Sequence, residues 1–131
     1  MADAKSLRSA LGLLGPLEGR IMREVWDGHV PAEFVVQDVR ERMPELAYTT
    51  VMSTVSRLAD KGLLTASRVP GQRAHSYRVA GDPAAFLSTS GQRQVRELID
   101  RYGDVALAAF AQHVDELTPA QRDRLRKLGG R

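Results

Sequence analysis

Four residues able to hydrogen-bond a nucleic acid recur at helical spacing within residues 46–64, LAYTTVMSTVSRLADKGLL: they are Thr49, Ser53, Ser56 and Arg57. A helix turns by about 100° per residue, which places these four on one side with Thr50 at the flank. Short hydroxyl side chains let a helix backbone approach a major groove, and arginine can reach a phosphate or a guanine. The segment therefore predicts a groove-reading surface, with Tyr48 as a further candidate contact.

The opposite side of this segment is apolar. Its apolar positions follow the 3.6-residue period of a helix with one buried face: Tyr48, Val51, Met52, Val55 and Leu58. Seven of the ten residues from Tyr48 to Arg57 are Thr, Ser or Val, which are mediocre helix formers. Packing through the valines must therefore hold the helix. The alternative is a Thr-rich helix packed inside a bundle.

Two further helices precede this one. The first begins at Pro16, ends at Asp27-Gly28 and carries the lone Trp26 on its core-facing stripe. Residues 32–43, AEFVVQDVRERM, predict the second, which Pro44 stops and whose apolar stripe is Val35, Val36, Val39 and Met43. The third runs from about Ala47 to Lys61 and is closed by Gly62. Three short helices with tight connections predict a helix-turn-helix arrangement.

A β-hairpin is predicted next. The segments LLTASRV and AHSYRV are rich in β-forming residues and flank the turn signal PGQR. Alternation places His75, Tyr77 and Val79 on one face, which can pack while the other meets solvent. His75 either touches phosphate or packs within the hairpin. Three helices followed by a hairpin are typical of a winged helix-turn-helix.

Residues 82–131 return to helical patterning. STSG at 88–91 is a candidate interruption of the first helix in this region, and Gly103 is a candidate break between two helices. TPAQ at 118–121 is predicted to form a capping box, which starts a last helix that buries Leu125 and Leu128. The apolar stripe in this region is too long for a short helical tail to bury alone, so helices exchanged between two chains would form a C2 dimer. A monomer whose tail folds back on its own wing is the alternative. The predicted dimer residues are Leu98, Ile99, Tyr102, Ala106, Phe110 and Val114.

Charge is concentrated around the third helix and the hairpin. The 131-residue chain has a net charge of +3 and is 43% hydrophobic, which suits a globular protein. Residues 48–81 contain five Lys or Arg against one Asp, a net of +4, whereas residues 1–47 have a net of −2 and residues 82–131 a net of +1. A local basic patch suits a phosphate backbone; a solvated basic surface is the alternative.

Several other functions are disfavoured. The chain has no cysteine, which excludes disulfides, thiolate metal sites and cysteine nucleophiles. No catalytic set is recognisable, so we expect neither an enzyme nor a cofactor. His29 is expected at the surface, and His113 near Asp115 and Glu116 has no spacing of a known metal-ligand set, so no metal site is predicted. No apolar run approaches 18 residues and no secretion signal is recognisable, so we expect a cytoplasmic protein without membrane insertion.

The segment LAYTTVMSTVSRLADKGLL followed by RAHSYRV, and the earlier LGPLEGRIMREVW, resemble the BlaI/MecI/CopY (penicillinase repressor) family of bacterial winged-helix regulators. The resemblance covers roughly residues 13–128. It implies a homodimeric repressor on a dyad operator in double-stranded DNA, usually near genes for antibiotic or metal resistance, with the C-terminal helices forming the dimer. It also implies that Thr49, Thr50, Ser53 and Arg57 face the groove while Arg68 and Arg73 belong to the wing.

The resemblance also bears on regulation. In the β-lactam branch of that family a membrane sensor protease cuts an Asn-Phe bond in the C-terminal helices. The corresponding position here is Ala109-Phe110, which keeps the Phe and lacks the Asn, so such a protease is a candidate partner. Sensing of copper through a C-terminal cysteine motif, as in the copper-responsive branch, is excluded.

The predicted architecture is mainly α with a small β-hairpin, a winged helix-turn-helix followed by a C-terminal helical dimerisation module. Residues 1–14 would be an N-terminal arm, residues 15–81 the DNA-binding domain and residues 82–131 the dimerisation domain. Two alternative functions are a MarR-like ligand-responsive regulator and a winged-helix module that binds another protein.

Overall fold

The computed structural model describes residues 4–68, 70–71 and 75–129. The elements in chain order are α1 (Ala4–Gly12), α2 (Pro16–Trp26), α3 (Val36–Arg42), α4 (Tyr48–Asp60), β1 (Leu64–Arg68), β2 (His75–Val79), α5 (Pro83–Tyr102), α6 (Asp104–Asp115) and α7 (Pro119–Gly129). They form two compact units, Met1–Thr89 and Ser90–Arg131. The predicted fold class, mainly α with a small hairpin in winged helix-turn-helix order followed by C-terminal helices, is confirmed.

The core of the first unit lies between α2, α3, α4 and the hairpin. Its fully buried side chains include Ile21, Met22, Phe34, Val39, Met43, Val51, Val55 and Leu58. Helix α2 begins as the sequence predicts, with Pro16 in its first turn. Trp26 at its end is half-buried against this core, and its indole N–H donates to the Gly81 carbonyl at 2.9 Å. The core thus holds α4 against α2 and α3.

Helix α3 begins four residues later than predicted, at Val36 rather than at residue 32. The backbone of Phe34 is occupied by a β-bridge, because its N–H donates to the Tyr77 carbonyl at 3.0 Å and its carbonyl accepts from the Tyr77 N–H at 2.7 Å. Val35 is extended and exposed, and its N–H donates to the Asp38 carboxylate at 2.9 Å. The predicted start, and Val35 as a buried position, were therefore wrong.

The two strands form the predicted antiparallel hairpin, in which Leu64 lies opposite Val79 and Arg68 opposite His75. Tyr77 is buried, and its ring stacks on Phe34 with centroids 5.9 Å apart. His75 and Val79 are exposed, so the prediction that these three residues pack on one face was correct only for Tyr77. Phe34 covers the middle of β2 and leaves its ends open. Gln72 and Arg73 of the predicted turn PGQR, and Ala74 after it, lie outside the described residues.

The C-terminal helices follow local signals closely. Helix α5 passes through STSG without a break, because a few weak helix formers cost too little to interrupt 20 residues. Gly103, at φ 58°, ends α5 and precedes α6, as predicted. The predicted capping box starts α7: the Thr118 N–H donates to Gln121 Oε1 at 3.0 Å, and the Gln121 N–H to Thr118 Oγ1 at 3.2 Å.

Much of the apolar surface of the second unit is open. Helix α7, all of which is described, buries no residue, so the predicted burial of Leu125 and Leu128 within the chain was wrong. No helix in the described part of the chain is long and apolar enough to cross a bilayer.

Candidate nucleic-acid interface

The solvent-facing side of α4 carries every helix residue that the sequence proposed as a DNA contact. These exposed residues are Tyr48, Thr49, Thr50, Ser53, Ser56 and Arg57. Val51, Thr54, Val55 and Leu58 are buried on the opposite side. Tyr48 and Met52 are 44% and 43% exposed, so their predicted place on the buried stripe was wrong. Met52 lies about 100° around the helix from Val51, whereas Thr54 lies about 40° from Leu58.

Hydroxyl groups on α4 bond to the helix itself. The Thr54 hydroxyl donates to the Thr50 carbonyl at 2.8 Å, which satisfies a polar group in the core. The exposed Ser53 hydroxyl donates to the Thr49 carbonyl at 2.9 Å. A serine has one hydroxyl proton and two lone pairs, so Ser53 in this rotamer presents lone pairs to solvent. Those lone pairs can accept from the amino groups of adenine or cytosine in a major groove.

A buried carboxylate lies behind the C-terminal half of α4. Glu18 of α2 has a side chain only 7% exposed, and its Oε1 accepts from Lys61 Nζ at 2.9 Å and from the Gly15 N–H at 3.0 Å. Its Oε2 lies 3.8 Å from Arg57 Nε. Burial alone would raise the pKa of Glu18, but the Lys61 and Gly15 hydrogen bonds and the charges of Lys61 and Arg57 hold that pKa below its ordinary value.

Sequence reasoning missed Glu18, although a signal was present. A glutamate two residues after a helix-opening proline is a common capping residue, and here it bonds the Gly15 N–H. The signal indicates a cap, but it does not indicate that α4 brings Arg57 and Lys61 to the same carboxylate. Arg57 is therefore oriented partly by another helix and by the Thr54 hydroxyl, which accepts from its Nη2 at 3.4 Å.

The hairpin of β1 and β2, which is the wing of the winged helix-turn-helix, contributes further charged groups. Arg68 is exposed at the end of β1, and His75 is exposed opposite it with its ring 6.3 Å from that of Tyr77. Arg78 Nε lies 3.7 Å from Glu33 Oε1, which also accepts from the Ser76 hydroxyl at 3.2 Å. Glu33, like Glu18, lies outside the basic window of residues 48–81. The positive surface is therefore weaker than the net charge of that window suggests.

A groove of about 510 Å³ separates α4 from the hairpin. Its walls include Met52, Ser53, Ser56 and Asp60 from α4, and His75 and Tyr77 from β2. Burial raises the pKa of the Tyr77 hydroxyl above its ordinary value. The groove brings Ser53, Ser56 and His75 to one concave surface, which a backbone or a base edge could enter.

The predicted dimer residues have different exposures within the single chain. Leu98, Tyr102, Phe110 and Val114 are exposed, Ile99 is half-buried and Ala106 is buried. Large apolar side chains left open on one unit are typical of an interaction surface. The Ala109-Phe110 bond lies inside α6, so a protease would have to unwind part of this helix to cut it.

Two histidines outside this surface contact carboxylates. The His113 Nδ1 atom lies 3.6 Å from Glu116 Oε2, and His29 bonds Glu24. Within the described ranges no group of three or more potential ligands could hold a metal ion.

Comparison with known proteins gives a consistent set of matches. The family model described as penicillinase repressor matches residues 14–129. Two proteins called transcriptional regulator BlaI, from Mycobacterium tuberculosis strains CDC 1551 and H37Rv, are each 33% identical to this chain, covering 85% of it and 89% of their own length.

Two solved structures are similar at lower identity. The crystal structure of M. tuberculosis Rv0081 gives a TM-score of 0.44 at 20% identity, covering 77% of this chain and 98% of that one. A MarR mutant from E. coli complexed with operator DNA gives a TM-score of 0.46 at 14% identity, covering 88% and 84%.

Proposed function

The chain belongs to the penicillinase repressor family of transcriptional regulators, and from that premise we propose that it acts in the cytoplasm as a homodimeric repressor on a dyad operator. Each first unit would place α4 in a major groove and the hairpin beside the adjoining backbone. The observation that carries the proposal is the solvent face of α4, made of short hydroxyl side chains and ending at Arg57.

The physical chemistry of that face supports sequence reading. Its side chains are short enough for the backbone to approach base edges. Because the Ser53 hydroxyl donates its proton to the Thr49 carbonyl, its oxygen can accept a hydrogen bond from a base amino group. The wing residues Arg68, Arg73 and His75 would contact phosphates, which fixes orientation rather than sequence. The groove between α4 and the hairpin would then receive part of the duplex.

The open apolar residues of the second unit support the homodimer. Leu98, Tyr102, Phe110 and Val114 would be covered by the same residues of a second copy, since a C2 interface is self-complementary. Two linked half-site contacts would then act as one binding event of much higher affinity. By analogy with the family, the regulated genes would concern resistance, and a membrane sensor protease acting at Ala109-Phe110 would relieve repression.

The first experiment is footprinting of the purified protein on DNA upstream of its own gene at two salt concentrations. We expect a protected dyad whose affinity falls steeply as salt rises, because phosphate contacts release counterions. Weak protection without sequence preference at every site tested, including sites selected from a random library, would contradict the proposal.

A variant pair tests the interface itself. Arg57→Ala should weaken operator binding by about 1–3 kcal/mol if the guanidinium reads a base. Arg23→Ala is the matched control, because Arg23 is equally exposed, pairs with Asp27 at 3.8 Å and lies on α2. Equal operator affinity of the two variants in a gel-shift titration would remove Arg57 from the contacts.

A further inference from the structure

Glu18 is the only charged residue among the described residues that the fold buries. Its two oxygens serve three partners: Lys61 and the Gly15 N–H at hydrogen-bond distance, and the Arg57 guanidinium at 3.8 Å. Arg57 belongs to the last turn of α4 and Lys61 is the C-cap residue that follows it, and their side chains are 59% and 50% exposed. One face of each cation therefore contacts an internal anion while the other remains open to solvent.

This arrangement affects two kinds of DNA binding differently. Non-specific affinity depends on the number of phosphates that free cations neutralise, because each contact releases condensed counterions. A cation already paired with a buried carboxylate gains less from a phosphate, since it would have to share or leave an existing partner. Specific binding depends on where the guanidinium points, and Glu18 at 3.8 Å and the Thr54 hydroxyl at 3.4 Å both favour one direction.

We propose, on the basis of the DNA-binding function proposed above, that Glu18 is a positioning residue that sets specificity at the interface: its carboxylate orients Arg57 and Lys61 toward the operator and withholds their charge from non-specific DNA. The residue touches no DNA in this role. It acts through two side chains of the neighbouring helix.

Glu18→Gln separates this role from helix capping. A glutamine keeps the size of the side chain and an oxygen that accepts from the Gly15 N–H, so the cap survives while the negative charge is lost. Glu45→Gln is the matched control, because it makes the same charge change in an ion pair, Arg20–Glu45 at 2.7 Å, whose two side chains are both exposed.

The experiment measures binding of the full-length wild type and both variants to two duplexes, the footprinted operator and a scrambled sequence, over a series of salt concentrations. For Glu18→Gln we expect scrambled-DNA affinity to rise by roughly threefold to tenfold and the salt slope to steepen by about 1 to 2, since up to two cations are released. Operator affinity should rise less than scrambled-DNA affinity, so the ratio of specific to non-specific affinity falls. Glu45→Gln should keep the wild-type ratio.

Several outcomes would overturn the inference. If Glu18→Gln has the ratio and slope of Glu45→Gln, Glu18 has no role beyond the cap. If the wild type itself does not distinguish the two duplexes, the proposed function fails and the inference fails with it. Should Glu18→Gln not fold, Lys61→Gln supplies the test: with Glu18 in place it should leave the scrambled-DNA slope nearly unchanged, and a loss of about one unit would show that Lys61 was free to bind phosphate.

Discussion

Removing Lys61 should destabilise this protein more than removing an ordinary surface lysine. Its Nζ donates at 2.9 Å to a carboxylate that is 7% exposed, and hydrogen bonds to charged groups contribute about 1.5–3 kcal/mol. Lys61 itself is half-exposed, and water screens that side of the pair, so the lower end applies. We therefore expect Lys61→Ala to lower the free energy of unfolding by about 1.5 kcal/mol.

A double-mutant cycle isolates the contribution of the pair. In the Glu18→Gln background the carboxylate charge is gone, so Lys61→Ala should cost only about 0.5 kcal/mol. The difference gives a coupling energy of about 1 kcal/mol between the two positions. The assay is urea unfolding at neutral pH and one fixed protein concentration, because the stability of the proposed dimer would depend on concentration.

Lys127→Ala provides the control for this cycle. Its Nζ lies 3.2 Å from Asp123 one turn away on α7, and both side chains are well exposed. Such pairs contribute about 0.3–0.5 kcal/mol. Should the Glu18 and Lys61 substitutions prove additive within about 0.3 kcal/mol, the buried pair would be refuted.

Three further predictions concern acid stability, the core and the break between α5 and α6. The fold lowers the pKa of Glu18 below its ordinary 4.5, so the unfolded chain binds more protons there; urea titrations should show stability falling as pH drops below about 4.5, and less steeply in Glu18→Gln. Phe34→Ala removes a side chain that is 1% exposed and stacks on Tyr77, and should cost about 3–5 kcal/mol in chemical unfolding. Gly103→Ala places a Cβ at φ 58° and should cost about 1–3 kcal/mol in thermal melting, whereas Gly91→Ala, inside α5 with open space around it, should stabilise by up to about 1 kcal/mol.

Local signals in the sequence predicted most element boundaries correctly. The Pro16 start of α2, the Gly103 break and the Thr118–Gln121 capping box depend on residues within one helical turn of each other. The start of α3 failed for the opposite reason. The backbone of Phe34 bonds Tyr77, which comes much later in the chain, and helical periodicity carries no information about that bridge.

The buried stripe of α4 shows a different limit. Hydrophobicity assigned Tyr48 and Met52 to the core and left Thr54 out, whereas the structure buries Thr54 and leaves Tyr48 and Met52 exposed. Thr54 can be buried because its hydroxyl bonds the Thr50 carbonyl, which removes the cost of an unsatisfied polar group. Back-bonding satisfies the hydroxyl groups but does not itself favour a helix, so packing of Val51, Val55 and Leu58 holds α4 despite its weak propensity.

Charge at the candidate interface could not be read from a window of sequence. The +4 of residues 48–81 counts Arg57, Lys61 and Arg78 as free, but Glu18 and Glu33 from earlier elements lie against all three. This pairing sets the effective charge that DNA meets. Because Glu18 is buried and Glu33 is not, the two carboxylates differ in how readily they release their cations. Glu33 is half-exposed and can release Arg78 at little cost, whereas leaving the buried Glu18 without its partners carries a desolvation penalty. Arg78 can therefore be released to any DNA, while Arg57 and Lys61 should respond to sequence.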